Sequence, residues 1–225
     1  PLQVNTTVCR ETVSELPAIR ELVADLGAVL WSVFFLVPVG RGQVLDPISP
    51  ERAERVMEWL CEVNADSRFG IKTTEAPHYR RVALQRRADS EDPGPGDDGI
   101  GRRTGITAGD GFAFVSHTGE LYPSGFLPVS AGNVTEESLV DLYRDSELFR
   151  RLRDGDELRG KCGACPYRNV CGGSRSRAYA YTGDPLESDP LCEFVPEGYD
   201  GPLPDSWDDR QVSESESGAF EAESD

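Results

Sequence analysis

The chain has 225 residues, enough for one large or two small cores, and its 40 acidic against 23 basic side chains leave a net charge of −17. A surface that acidic repels nucleic-acid phosphates and anionic lipid, and no apolar run approaches the roughly 20 residues that span a bilayer; neither nucleic acid nor membrane is expected as a partner. Only two lysines occur, Lys72 and Lys161, and an acid-rich, lysine-poor chain suits high salt, where repulsion is screened.

Residues 1–84 alternate strand and helix patterns. Leu2 to Val8 is short and β-branched, a strand. Ser14 to Leu26 places Leu16, Ile19, Leu22, Val23 and Leu26 at helical spacing. Trp31 to Val39 is a near-continuous apolar strand, the pattern of a sheet buried on both faces. Ser49-Pro50-Glu51 opens a helix running to about Val63, with serine as N-cap and proline in the first turn. Phe69 to Thr73 is a third strand. This order is the α/β signature of a parallel sheet, open or barrel-like.

Residues 85–109 break the pattern. Asp89 to Arg103 is too rich in glycine, proline and charge to pack and reads as a mobile linker. In residues 110–196, Phe112 to Ser116 and Glu120 to Tyr122 flank His117-Thr118-Gly119, a hairpin signal. Thr135 is the expected N-cap of a helix carrying Leu139, Leu142, Tyr143, Phe149 and Leu152 on one face. Residues 197–225 hold ten acids against one arginine, Arg210, and are expected to be disordered.

The chemistry concentrates in Cys162-x2-Cys165-x5-Cys171-x20-Cys192. A CxxC turn aims two thiols at one point, and Gly172 and Gly173 let backbone approach a bulky inorganic core. Four thiolates, one per iron, suit a [4Fe–4S] cluster. Zinc also takes four thiolates but commonly from two CxxC pairs, and here the second half is not CxxC. Iron–sulfur is the favoured reading and a zinc staple the alternative. Residues 159–177 carry Arg159, Lys161, Arg168, Arg175 and Arg177 and no acid, an environment that stabilises an anionic cluster. Clustered cysteines in a chain of this size also argue for a reducing, cytoplasmic setting over a disulfide scaffold. Cys9, at a strand end, and Cys61, in a helix, are read as apolar thiols outside the site.

The run Cys162-Gly-Ala-Cys165-Pro-Tyr-Arg-Asn-Val-Cys171-Gly-Gly with Cys192 resembles the C-terminal SPASM or twitch extension of radical SAM enzymes. Gly119-Glu120-Leu121-Tyr122-Pro123-Ser124 and Gly132-Asn133-Val134 are similar to that domain's hairpin and helix entry, and Val4 to Val8 and Phe34 to Pro38 to the fifth and sixth strands of a radical SAM partial barrel. The implied fold is the C-terminal part of a partial (β/α) barrel, residues 1–84, followed after the linker by a small α+β auxiliary-cluster domain, residues 110–196. Arg175, Ser116 and Ser124 stand where the full pattern has cysteines, so one auxiliary [4Fe–4S] cluster is implied. The CxxxCxxC loop that holds a SAM-binding cluster does not occur in these 225 residues, and the chain, which opens on Pro1, is read as a C-terminal part.

In the complete protein the resemblance implies S-adenosylmethionine, a second [4Fe–4S] cluster and an electron donor such as ferredoxin or flavodoxin. Asn5, Val37 and Pro38 are the implied cofactor contacts. Pro123 to Pro128 and Thr74 to Arg80 are similar to the heme-biosynthesis branch, whose porphyrin-like substrates carry propionates; a peptide is the competing substrate. His78, Arg80, Arg175 and Arg177 are the candidate substrate residues, with Arg81 a further arginine for a propionate. Because all four ligands are cysteines, the cluster is expected to relay electrons and not to bind substrate. A stand-alone ferredoxin-like carrier or a zinc-stapled interaction module is the non-enzymatic alternative.

Overall fold

A computed structural model describes residues 1–88 and 107–204. Three strands, β1 (Gln3–Val8), β2 (Leu30–Phe35) and β3 (Gly70–Thr74), form a parallel sheet in that order. Central β2 is buried at Trp31, Ser32, Val33 and Phe35, on both faces, which accounts for its continuous apolar run. Helices α1 (Leu16–Asp25) and α2 (Pro50–Asp66) make the crossovers. The Ser49 hydroxyl accepts from the Arg52 N–H at 3.2 Å, and Pro50 occupies the first turn of α2. The buried side of α2 (Ala53, Val56, Met57, Leu60 and Val63) packs into one core with Trp31, Val33 and Phe35. Trp59 and Phe69 meet the Trp31 ring edge-on.

Two features of this half differ from expectation. The strand predicted to reach Val39 stops at Phe35: Arg177 binds the carbonyls of Phe35 and Leu36, and Pro38 has no N–H for a ladder. A third helix, α3 (Tyr79–Ala88), lies where the break was drawn from residue 85. Its sequence, YRRVALQRRA, offers too few apolar positions to read as periodic, and Arg81–Glu54 and Arg86–Glu62 pairs hold it on α2.

In the C-terminal half, β4 (Phe114–Val115) and β5 (Leu121–Tyr122) form the expected hairpin, closed by Gly119 at φ +88°. The single helix predicted from Thr135 is instead two, α4 (Leu139–Asp145) and α5 (Glu147–Arg153), capped at Ser138. Thr135 is diverted: its N–H and hydroxyl both donate to Asn133 Oδ1, at 2.9 and 2.7 Å, in a local turn. Two short helices follow, α6 (Gly160–Ala164) and α7 (Arg175–Thr182).

The result is a mixed α/β fold with a small parallel sheet and a cysteine-rich region. Among the described residues the parallel sheet has three strands and is open, with no barrel closure. Leu191, from the cysteine region, sits in the core of the sheet. The predicted linker falls mostly outside the described residues, as does the predicted tail of residues 197–225 from residue 205 on; within its described part the Tyr199 hydroxyl donates to the Pro202 carbonyl. Among the described residues no helix is long and apolar enough to cross a membrane.

Candidate metal centre

Cys162 lies in α6 and Cys165 caps it. A turn through Tyr167, whose carbonyl accepts from the Cys171 N–H, brings the chain to Cys171. Gly172 and Gly173, at φ +66° and +67°, then swing it into Ser174, the N-cap of α7. Cys192 arrives on a turn from Asp189. Cys162, Cys171 and Cys192 are buried and Cys165 half-buried. The thiols sense one another: Cys171 feels Cys192 and Cys162, and Cys165 and Cys192 each feel Cys162. Burial is the main influence on three of them. It pushes Cys192 up to about 12, Cys171 well above the usual thiol range, and Cys165 upward. Such thiols stay protonated until a metal displaces the protons.

The surroundings are nevertheless those of thiolates. Every sulfur has an N–H donor. Tyr167 N points at Cys165 Sγ, Gly173 N at Cys171 Sγ and Asp189 N at Cys162 Sγ, each at 3.4 Å. Arg175 Nη2 lies 3.6 Å from Cys162 Sγ, and Arg81 Nη2 3.9 Å from Cys192 Sγ. Lys161 is buried as well and donates to the Cys192 carbonyl. Three buried cations around four sulfurs suit a group that is anionic when bound. A Cβ at Gly173 would meet Arg175 Nη2 at 2.6 Å, Asp189 Cβ at 2.9 Å and Cys162 Sγ at 3.1 Å, so only glycine lets this backbone close in. Among the described residues no three His, Cys, Asp or Glu side chains are gathered closely enough to hold one metal ion.

Behind the cysteines lies a buried hub at the C-terminal end of the sheet. Arg177 spends its whole fork there: Nε on the Leu36 carbonyl, Nη1 on both oxygens of Asp189 at 3.1 Å, and Nη2 on the carbonyls of Phe35 and Glu75. Burial alone would raise the Asp189 carboxyl, but Arg177, His78 and two backbone N–H groups hold it down at about 2. Glu75 has φ +56°, a strained conformation for a side-chain-bearing residue. Its carboxylate accepts from Ser174, Ser176 and Ser124 at 2.5, 3.2 and 3.4 Å.

The other sequence candidates scatter. His78 is fully buried, 3.9 Å from Asp189. Arg80 is half-buried in the first turn of α3. Arg175 and Arg177 are buried and committed to backbone, sulfur and carboxylate, which leaves them no access to a propionate. Their basic character serves the interior. Arg81, the further arginine, is buried too and forks onto both oxygens of Glu54. Val37 and Pro38 follow the C-terminal end of β2, whereas Asn5 is mid-strand and exposed, bonded to Gln3. Cys9 is buried and Cys61 half-buried, with burial pushing Cys61 up to about 11. Beside Cys171, Gly172, Gly173 and Arg175 opens a cavity of about 200 Å³, walled opposite by Leu152 and Arg153.

Glu75 and Asp189 take central places in this hub that the sequence reading did not assign. Nothing local marks Asp189. Glu75 could have been suspected from its place just past a parallel strand.

No protein-family model matches the chain. Among curated proteins it is 44% identical over 198 residues to an AdoMet-dependent heme synthase of Methanosarcina barkeri, covering 87% of this chain and 57% of that one. A heme synthase of Nitratidesulfovibrio vulgaris is 39% identical over 198 residues, with 86% and 54% covered. A PqqA peptide cyclase of a Methylobacterium species is 28% identical over 203 residues, with 87% and 50% covered. The chain spans about half the length of the curated relatives it matches. In three dimensions it is similar to Streptococcus suis SuiB bound to S-adenosylmethionine, with TM-score 0.57 at 13% identity over 85% of this chain and 45% of that one. SuiB bound to the precursor peptide SuiA gives 0.56. At that identity the likeness is one of fold.

Proposed function

The chain belongs to the radical SAM family of AdoMet-dependent heme synthases and SPASM enzymes, and on that premise we propose that Cys162, Cys165, Cys171 and Cys192 hold one auxiliary [4Fe–4S] cluster that relays electrons. The observation that carries this is the shell: each of four cysteine sulfurs has an N–H donor, and Lys161, Arg81 and Arg175 are buried around them. Bound there, such a cluster supplies a one-electron carrier. The chain's own residues do the rest. The four thiols ligate, the backbone donors orient the sulfurs, and the cations offset the negative charge. Arg177 and Asp189 tie the site to the C-terminal end of the sheet, where α/β sheets place their ligands.

For the complete protein the proposal includes S-adenosylmethionine, with Asn5, Val37 and Pro38 as its contacts, a second [4Fe–4S] cluster, and ferredoxin or flavodoxin as donor. The higher identity to heme synthases than to a peptide cyclase favours a porphyrin-like substrate over a peptide. Arg80, half-buried, remains a candidate contact; His78 is fully buried and does not. Residues 1–84 are proposed as barrel strands and 110–196 as the auxiliary-cluster unit.

Iron and acid-labile sulfide analysis of anaerobically prepared protein tests the metal. About four of each per chain is the expected result; one zinc without sulfide would replace this reading by the zinc-stapled module. In the complete enzyme, Cys165→Ala is expected to abolish product formation while S-adenosylmethionine cleavage persists. Normal product yield from that variant would overturn the relay role.

A further inference from the structure

Three guanidinium groups are buried near the cysteines, and they differ in one respect. Arg81 is paired with Glu54 at 2.5 Å and Arg177 with Asp189 at 3.1 Å. Arg175, only 2% exposed, has no carboxylate within ion-pair distance among the described residues. Its Nη1 donates to the carbonyls of Pro185 and Glu187 at 2.9 and 2.7 Å, and its Nε to that of Gly173 at 3.3 Å. These acceptors solvate the group and fix its plane, and Nη2 is thereby aimed at Cys162 Sγ, 3.6 Å away.

A guanidinium cannot shed its proton, and an uncompensated buried charge is strongly destabilising. Carbonyl dipoles offset part of that cost. Among the described residues, the group that Nη2 faces and that can supply further counter-charge is the Cys162 sulfur. The backbone is shaped to allow the approach, since any side chain at Gly173 would push Arg175 Nη2 off the sulfur.

We propose that Arg175 is a positioning residue of the metal site, whose N–H···S contact to Cys162 and otherwise unpaired charge raise the reduction potential of the iron–sulfur cluster held there. The proposal rests on the iron–sulfur reading above. A positive charge and a donor at a ligand sulfur favour the more negative, reduced state over the oxidised one. Arg175 would thus set how readily the site accepts an electron, without touching substrate.

The test is a redox titration, followed by EPR, of the complete enzyme with its clusters reconstituted. Arg175→Gln removes the charge and Arg175→Lys withdraws the donor fork. Arg159→Gln, in the same basic stretch but exposed and paired with Asp184, is the control. The glutamine variant should hold full iron yet show at least a tenfold lower reduced-to-oxidised ratio at a fixed potential, a shift of about 59 mV for one electron. The lysine variant should shift in the same direction and the control not at all. Should the glutamine variant lose its iron, the lysine variant decides. Wild-type potential in a fully loaded Arg175 variant, or an equal shift in the control, overturns the role. Wild-type protein devoid of iron would instead overturn the metal reading on which it rests.

Discussion

His78 shows how much of this site is decided one residue at a time. It is wholly buried, and within the described residues neither ring nitrogen makes a hydrogen bond. Burial pushes its pKa down to about 3, with Asp189 opposing and Arg177, Arg81 and Lys161 reinforcing the shift. The folded value lies below the unfolded one near 6.5, so the unfolded chain binds the extra proton between those limits. This contribution to stability is complete above about pH 6.5 and falls away as pH drops toward 3. Between pH 7 and 5 it should cost about 2 kcal/mol. Urea unfolding at the two pH values is expected to show a smaller loss in His78→Gln than in wild type. Equal losses would remove His78 from the acid response. From sequence, His78 looked like a substrate group at a strand end. Its burial arises from Phe35 and from Asp189, 111 positions on, contacts that no local pattern encodes.

At the scale of elements, agreement was good wherever a local signal had no competitor. Ser49-Pro50 marks the start of α2 because hydroxyl and ring both act within one turn. Ser49→Ala is expected to cost about 1 kcal/mol and to lower the melting temperature by about 2–4 °C, measurable by calorimetry. No change would mean that tertiary packing alone holds that end. Thr135 failed as a cap since Asn133, two residues earlier, captured its donors and delayed the helix to Ser138. Helix α3 was missed because it offers few apolar positions: Tyr79 and Val82 join the core, and Arg81 pairs with Glu54 on α2. Spacing marked the four cysteines as a candidate set; the N–H groups aimed at their sulfurs follow from turns that spacing does not specify.

For the whole molecule two features matter. The first is the hub of Arg177, Asp189 and Glu75, which welds the cysteine region to the sheet through contacts 99 to 142 positions apart in sequence. The second is charge. At −17 the chain repels itself, and raising salt from about 0.1 M to about 1 M shortens the screening length from ~10 Å to ~3 Å. The melting temperature is expected to rise over that range, and by more with potassium chloride than with an equal osmolarity of a neutral solute. A flat or falling curve would remove self-repulsion as a factor in stability and, with it, the case for adaptation to high salt.

The sequence by itself determined the alternation of strands and helices in the first half and the hairpin, because periodicity and turn chemistry act over a few residues. Only the tertiary structure decided what the arginines do. Arg175 and Arg177, candidates in sequence both for a cluster's basic surroundings and for an anionic substrate, are buried, one against the Cys162 sulfur and the other against Asp189. A buried charge depends on partners brought together by the fold, and those partners lie far along the chain.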